Sequence, residues 1–416
     1  VIGNGCEGME LTAKSRVIAI ALVTAVAVMG DAMLFIVLPL YWQDFGLTAI
    51  WQIGLLLSIN RFIRLPLNPL VGYFYKHFQL RTGVFIALIL AVITTFSYGV
   101  FQDFWSLLMM RALWGVAWSF VRLGGFLTVI DVTTDQNRGW HVGLYNGLWG
   151  LGGLVGMLAG GFLVDQTSIF FVTTSFAVIA ALTIPVVWFV VPKGKGEAKD
   201  KRVVAKTMKK KWVTPFVVLV LCTGLIQGFI VMGLFASTIS PLIETVYRGE
   251  WQMGTVVIGV ATLAGIMQAL RWSWEPFVAP LIGRKLDEMK SVLPILLFPL
   301  LGGSLLFFIL AFTDRIVSLL LFILLFQLLS TMFTTITDTL ATRAAVRTER
   351  VKMMTAHTVV VDVGSALGPL VSFLLLMYYP VSFIYIIAAV ILLLLAVIWV
   401  RFRKFEIHEE EEKNYI

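Results

Sequence analysis

Nine ionisable residues interrupt long runs of Val, Leu, Ile, Phe and Ala: Asp31, Arg61, Arg64, Arg111, Arg122, Arg271, Glu275, Asp338 and Asp362. A charge at the middle of a hydrocarbon layer costs ~3 kcal/mol on insertion scales. These groups are therefore expected to face one another or a wet cavity. The chemistry open to them is proton exchange. A carboxyl in a dry site prefers to be neutral, and a neighbouring guanidinium restores its charge. An acid that alternately meets and leaves an arginine takes up and releases a proton. Asp31, the lone acid of the first apolar stretch, is the candidate carrier, with Arg111 or Arg61 as its counter-ion; a permanent structural pair is the plainer possibility.

Helical spacing groups the remaining residues. Arg111, Gly115, Trp118, Arg122 and Gly125 share one stripe, because eleven residues make about three turns. Arg61, Arg64 and Asn68 form a second stripe, and Gln268, Arg271 and Glu275 a third. Thr331, Thr335, Asp338 and Thr342 form a fourth. Trp118 shares the arginine stripe, and Asn146 and Trp149 are expected to join it. Arg61, Arg64, Trp118, Arg122, Asn146, Trp149, Arg271, Glu275 and Asp338 are thus the candidate cavity residues. The four histidines are expected in loops or tails and are not taken as proton carriers.

The elements that must hold these groups are membrane helices. The chain has 416 residues, 13% of them charged, and a mean hydropathy of +0.91. About 20 apolar residues span a bilayer as a helix. Twelve such stretches are expected, at about 15–42, 53–75, 83–101, 106–132, 143–166, 168–191, 212–244, 254–286, 291–313, 318–345, 358–380 and 381–402. Of the 32 Lys and Arg residues, 25 fall in alternate segments on one side, and only Arg248 and Arg315 on the other. By the positive-inside rule the rich side, with both termini, is cytoplasmic. The basic charge thus reports orientation and not nucleic-acid binding. Two cysteines, Cys6 and Cys222, make no disulfide framework, and no metal-ligand spacing, nucleotide-binding loop or catalytic motif is present. No cofactor is expected, and the coupling ion is taken to be a proton. Met9 is expected as the natural start, with part of the tail 1–14 a remnant.

The segment 192–211 carries nine basic residues and two acids, and divides the stretches six and six. The halves, 15–191 and 212–402, echo each other. Pro69-Leu-Val-Gly72 matches Pro280-Leu-Ile-Gly283, and Gly156 corresponds to Gly368-Pro369. The acidic end 403–416 is expected as a cytoplasmic tail. Repeats of this kind suggest a transporter with its site between two related bundles near midplane. Gly152, Gly156 and Gly160 share one face and admit a close neighbour, expected to be the eighth or tenth helix in a hinge-like gating contact that alternates during transport; simple packing is the plainer possibility.

Over nearly its whole length the chain resembles the major facilitator superfamily. The likeness rests on Gly72-Tyr-Phe-Tyr-Lys76-His77 after the second stretch, and on its repeat Gly283-Arg-Lys-Leu-Asp287. It rests further on Arg111-Ala-Leu-Trp-Gly115, on Asp131 followed by Arg138-Gly139, and on the glycines from Gly147 to Gly161, which are similar to those of drug/proton antiporters. Lys76 stands where the family has Asp, and Met157 where antiporters have Pro. The resemblance implies coupling through Arg111 and gating by Lys76, Asp131, Arg138, Asp287 and Asp362. Because the charge at 76 is reversed, Lys76 is expected to pair with Asp362 as a latch that holds the cytoplasmic gate shut when the site opens outward. It also implies twelve transmembrane helices in two pseudo-symmetric bundles, with cytoplasmic termini. The expectation is a monomeric inner-membrane exporter, not an enzyme, moving a small amphipathic substrate, anionic or zwitterionic, against protons. A lipid or lysolipid transporter, a proton symporter importing an organic anion, and a non-transporting scaffold or sensor are the alternatives.

Overall fold

A computed structural model describes residues 12–134, 138–191, 214–247, 251–253, 256–288, 292–347 and 350–414. The linker 192–211 and most of the tail 1–14 lie outside these residues.

The described chain forms twelve long helical rods. They are α1 (Ala13–Leu40), α2 (Ile50–His77), α3 (Leu80–Ser97), α4 (Phe104–Val132), α5 (Arg138–Gln166) and α6 (Ile169–Val190), then α7 (Pro215–Val246), α8 (Val260–Glu288), α9 (Leu293–Leu310), α10 (Ile316–Arg347), α11 (Arg350–Leu375) and α12 (Val381–Asn414). Helix is the form that satisfies every backbone group within one segment in lipid. Local chemistry marks the starts. Thr12, Asp103, Ser168 and Thr214 each accept a backbone N–H of the first turn with a side-chain oxygen, which relieves an otherwise unpaired donor. Ten of the rods are long and apolar enough to cross a membrane; α2 and α8 are long enough but too polar. These two carry four of the intramembrane arginines and acids named above, Arg61, Arg64, Arg271 and Glu275.

Three local features depart from the sequence reading. The stretch 254–286 does not begin as helix. Trp251–Met253 and Val256–Ile258 pair as an antiparallel hairpin before α8 starts at Val260. Gln166 at the end of α5 holds the hairpin by donating to the Val257 carbonyl at 2.5 Å and accepting from the Val257 N–H at 3.2 Å. Within α7, Gly228–Phe235 forms a π-helical segment. Finally, α11 starts at Arg350 and not near 358, which places His357 inside a helix, where it is buried. His141 likewise lies buried in α5, so the histidines are not confined to loops.

The two halves pack together most tightly towards one end. The larger apolar core joins Met33, Phe35, Leu56 and Phe176 of the N-terminal half to Phe235, Ala264, Phe307 and Tyr385 of the C-terminal half. A second core, around Val17, Tyr75, Trp114 and Val129, belongs to the N-terminal half alone, at the end where the chain termini lie. At that end Gly72, Gly143, Gly147 and Gly283 face open space. The molecule is therefore sealed at the end away from the termini and open at the other. Its outer face remains apolar, with Phe189 and Val317 among the most exposed side chains, as a lipid-facing perimeter requires.

Candidate functional site

The seal is built from glycine and from one carboxylate. Gly54 of α2 sits against the Pro369 carbonyl of α11, where an added Cβ would come within 2.7 Å, and Ser58 donates to the Ala366 carbonyl at 2.5 Å. On the opposite flank Gly265 of α8 lies on the Met157 carbonyl of α5, and Gly161 on Ala261. Asp165 of α5 accepts from the Tyr41 hydroxyl at 2.7 Å, the Thr262 N–H at 2.8 Å and the Thr262 hydroxyl at 2.5 Å. The carboxylate thus binds the first turn of α8, where free N–H groups favour an anion.

The face of Gly152, Gly156 and Gly160 is occupied differently from the expectation. A side chain at these positions would strike Ala25, Met29 and Met33, all on α1. The stripe packs within its own half, not against α8 or α10. Spacing defines a bare face but not which neighbour fills it. A second face of α5, through Gly150, Gly153 and Gly161, is the one turned to α8, and Gly150 and Gly153 lie beside the Trp272 ring.

Just beneath the seal lies the first ionic group. Arg111 of α4 is 1% exposed, bonds Asp31 of α1 through Nη1, and donates from Nε to the Leu56 carbonyl at 2.9 Å. Asn60 of α2 donates to the same Asp31 oxygen at 3.2 Å. The Tyr98 ring lies 5.9 Å from the guanidinium. Of the two counter-ions open to Asp31, the geometry selects Arg111. Gly115, one turn along α4, lets the Asn60 backbone approach, so the helices close tightly around the pair.

Below it, Arg61 lies 5.8 Å from the Phe35 ring, and Arg64 meets Asp362 at 3.7 Å across the two halves. With the cleft open at this end, the expected Lys76–Asp362 latch, which belongs to the state with that end shut, is not formed. Asp362 is engaged by Arg64, while Lys76 lies exposed at the open end of α2. The residues differ by more than three turns along α2, and the nearer cation takes the acid. Arg122 lies further towards the open end. The rings of Trp149, Trp118 and Phe126 surround its guanidinium at 5.3, 5.7 and 5.7 Å. Trp149 contacts Trp118 at 5.3 Å and Trp272 of the other half at 6.2 Å, and its indole N–H donates to Asn146 Oδ1 at 3.1 Å. The arginine–tryptophan stripe and its two α5 companions thus come together.

In the C-terminal half Arg271 is 3% exposed, with Glu275 at 3.9 Å and the Met232 sulfur of the π segment at 3.7 Å. Gln268 donates to the Ala236 carbonyl, so this stripe is turned towards α7. Trp274 reaches Thr331 at 3.4 Å. Asp338 is largely exposed at the mouth of the cleft and bonds buried His357 at 3.1 Å. Asp131 is exposed at the end of α4. The side chains of Arg138 and Asp287 lie outside the described residues. Sequence reasoning missed Asp165, His357, Asn60 and Trp272. Asp165 carried a signal, an acid inside an apolar stretch, and His357 would have been found by extending the eleventh helix.

Two six-rod halves with a polar cleft between them, closed at one end, define a membrane transporter architecture. The family model of the Major Facilitator Superfamily matches residues 20–345 and 275–414, and the chain belongs to that superfamily. It is 25% identical to the multidrug resistance protein MdtG of Escherichia coli over 285 residues, 64% of this chain and 65% of that one. Multidrug resistance protein MdtG of Citrobacter koseri is 30% identical over 158 residues, 35% and 37% of the two chains. Multidrug resistance protein 1 of Bacillus subtilis is 24% identical over 159 residues, covering 38% and 41%. The chain therefore spans from about a third to just under two thirds of these relatives. Among solved structures, a bacterial homolog of the human lysosomal transporter Spinster in an inward-facing conformation superposes with a TM-score of 0.75 at 13% identity, covering 94% of this chain and 96% of that one. The nucleoside transporter NupG superposes at 0.73 with 10% identity, covering 94% and 99%. At such identities these two speak to the fold alone.

Proposed function

We propose that this protein is a secondary active transporter of twelve membrane spans with cytoplasmic termini, exporting a small amphipathic organic molecule by alternating access in exchange for protons. The observation that carries this reading is the placing of the intramembrane charges. None faces lipid alone: Asp31 pairs with buried Arg111 near the seal, Arg64 meets Asp362 across the halves, Arg271 lies buried beside Glu275, and Arg122 sits among rings towards the open end. With basic segments on the terminal side, the open end faces the cytoplasm. The relatives' names supply the outward direction.

In this state Asp31 is bound by Arg111, the arrangement of an acid that has given up its proton to the open side. Rocking of the halves about the cleft opens the other end. If that motion parts Asp31 from Arg111, the carboxyl loses the guanidinium that favours its charged form and can take a proton from the side now opened. Return of the pair releases it inside. Glycine contacts between α1 and α5 keep those helices moving as one body, while α5–α8 and α2–α11 form the interface that must open.

The test uses proteoliposomes with an imposed pH gradient, a panel of fluorescent amphipathic dyes and an internal pH reporter. Addition of a transported dye should release protons from the acidic side. Asp31→Asn should abolish that proton movement and retain dye flux down its own gradient. Proton release unchanged in this variant would remove Asp31 from the mechanism; no dye-linked proton movement in the wild type would remove proton exchange. A second reading, import of an organic anion with protons, is favoured by Arg61 and Arg122, neither of which meets a carboxylate among the described residues.

A further inference from the structure

Arg64, Arg111 and Arg271 each have an acid within 4 Å. Arg122 has rings instead, and among the described residues no oxygen accepts from it. Its neighbour Asn146 extends the pattern. An indole N–H only donates, so the Asn146 oxygen must face Trp149, and the amide NH2 is left without a partner among the described residues. Arg122 and Asn146 are both exposed, on a flank of the cleft where Gly147 faces open space. The corner therefore offers hydrogen-bond donors and positive charge, and no acceptor of its own.

The surroundings of those donors are aromatic. Rings around a guanidinium favour the cation without accepting conventional hydrogen bonds from it, so its N–H groups keep the fork that matches a carboxylate, sulfonate or phosphate. Trp149 touches Trp272 across the two halves, so a flat body lying beside Trp149 contacts both bundles. An oxyanion would also supply the counter-charge that Arg122 lacks, whereas a cation would be repelled by the same group.

We propose that the aromatic corner formed by Arg122, Asn146, Trp118, Trp149 and Trp272 binds the anionic head and flat apolar body of an aryl oxyanion. This rests on the transport reading and narrows its substrate class to anions. It is read by binding alone, with no gradient and no turnover.

The protein in nanodiscs is titrated with 2-naphthoate, its methyl ester and 2-naphthylmethylammonium, following tryptophan emission. The wild type should bind the carboxylate more tightly than either analogue. Arg122→Gln should weaken naphthoate by roughly ten- to a hundredfold, the worth of a hydrogen bond to a charged group, and change ester affinity by less than about threefold. Arg122→Lys should fall between, since it keeps the charge and loses the fork. Asn146→Ala, at an exposed position, should weaken naphthoate selectively and guards against a misfolded Arg122 variant. The proposal is overturned if the ester or the ammonium binds the wild type as tightly as the carboxylate, or if both variants weaken all three ligands equally. Proton-coupled flux of cationic dyes without naphthoate preference would end this inference and leave the transport reading standing. Selective naphthoate binding without flux would do the reverse.

Discussion

The two ends of the cleft treat the same residue types in opposite ways. At the sealed end Arg111 is enclosed with Asp31, and Gly156 lies against the backbone of α1. At the open end Arg122 is exposed among aromatic rings with no acid paired to it among the described residues, and a side chain added at Gly147 would meet open space among them. Arg111 and Arg122 occupy one helix face, eleven residues apart. The difference teaches that position along α4, not residue type, decides whether an intramembrane arginine is structural or available. Enclosed, it must be paired; beside water, it can wait for a ligand.

The largest effect should come from the pair. Arg111→Leu leaves Asp31 without its guanidinium and should lower stability by about 3–5 kcal/mol, seen as a large drop in the thermal midpoint in detergent. Arg122→Gln, which loses exposed ring contacts but leaves no charge unpaired, should shift the midpoint by the equivalent of only about 1 kcal/mol. Equal losses would erase the contrast. Next come the glycines. Gly156→Val forces a side chain onto Met29, whose Cα would lie within 2.8 Å of the new Cβ, and should destabilise by about 1–3 kcal/mol as overpacking does. Gly147→Val should be far milder in the same melting assay.

The seal itself can be weakened without touching the arginines. Asp165→Ala leaves the Tyr41 hydroxyl and the Thr262 donors without their acceptor, a loss of about 1–3 kcal/mol. In a background of Cys6→Ser and Cys222→Ser, a cysteine at buried Ile53 should then react faster, by about tenfold or more, with an impermeant thiol reagent added from the sealed side. An unchanged rate would show that the apolar core alone holds that end shut. The smallest effect lies at the rim. The Ser106 N–H, helped by the Ser106 side chain, holds the Asp103 carboxyl below its ordinary range. The stabilisation is therefore complete at neutral pH and is lost as pH falls through that lowered value. Melting of wild type and Asp103→Ala should differ slightly at neutral pH and converge in strong acid.

The helices were legible because hydrophobic length and the one-sided distribution of Lys and Arg report directly on the bilayer. The repeat of Pro69–Gly72 in Pro280–Gly283 likewise announced two related halves. The Asp31–Arg111 pair was within reach, since each was an isolated charge on an inward stripe. What failed was the naming of partners between helices. The stripe of Gly152, Gly156 and Gly160 identified a face, yet α1 and α8 both border α5, and periodicity does not choose between them. Asp362 adds a second limit, because its partner depends on the state: with this end open it meets Arg64, a contact that spacing along α2 does not announce. The hairpin's second strand, Val256–Ile258, was read as helix because its Val and Ile content suits either form, and His357 was lost to a boundary placed eight residues late.

The polarity of α2 and α8 bears on how the molecule is made. Neither is greasy enough to lodge by itself as the growing chain leaves the ribosome, since each arginine opposes partition from the translocon by roughly 3 kcal/mol. Arg64 does not meet Asp362 until α11, some three hundred residues later, has been synthesised. Nascent chains halted before that helix must therefore shelter the arginine in water or beside the translocon.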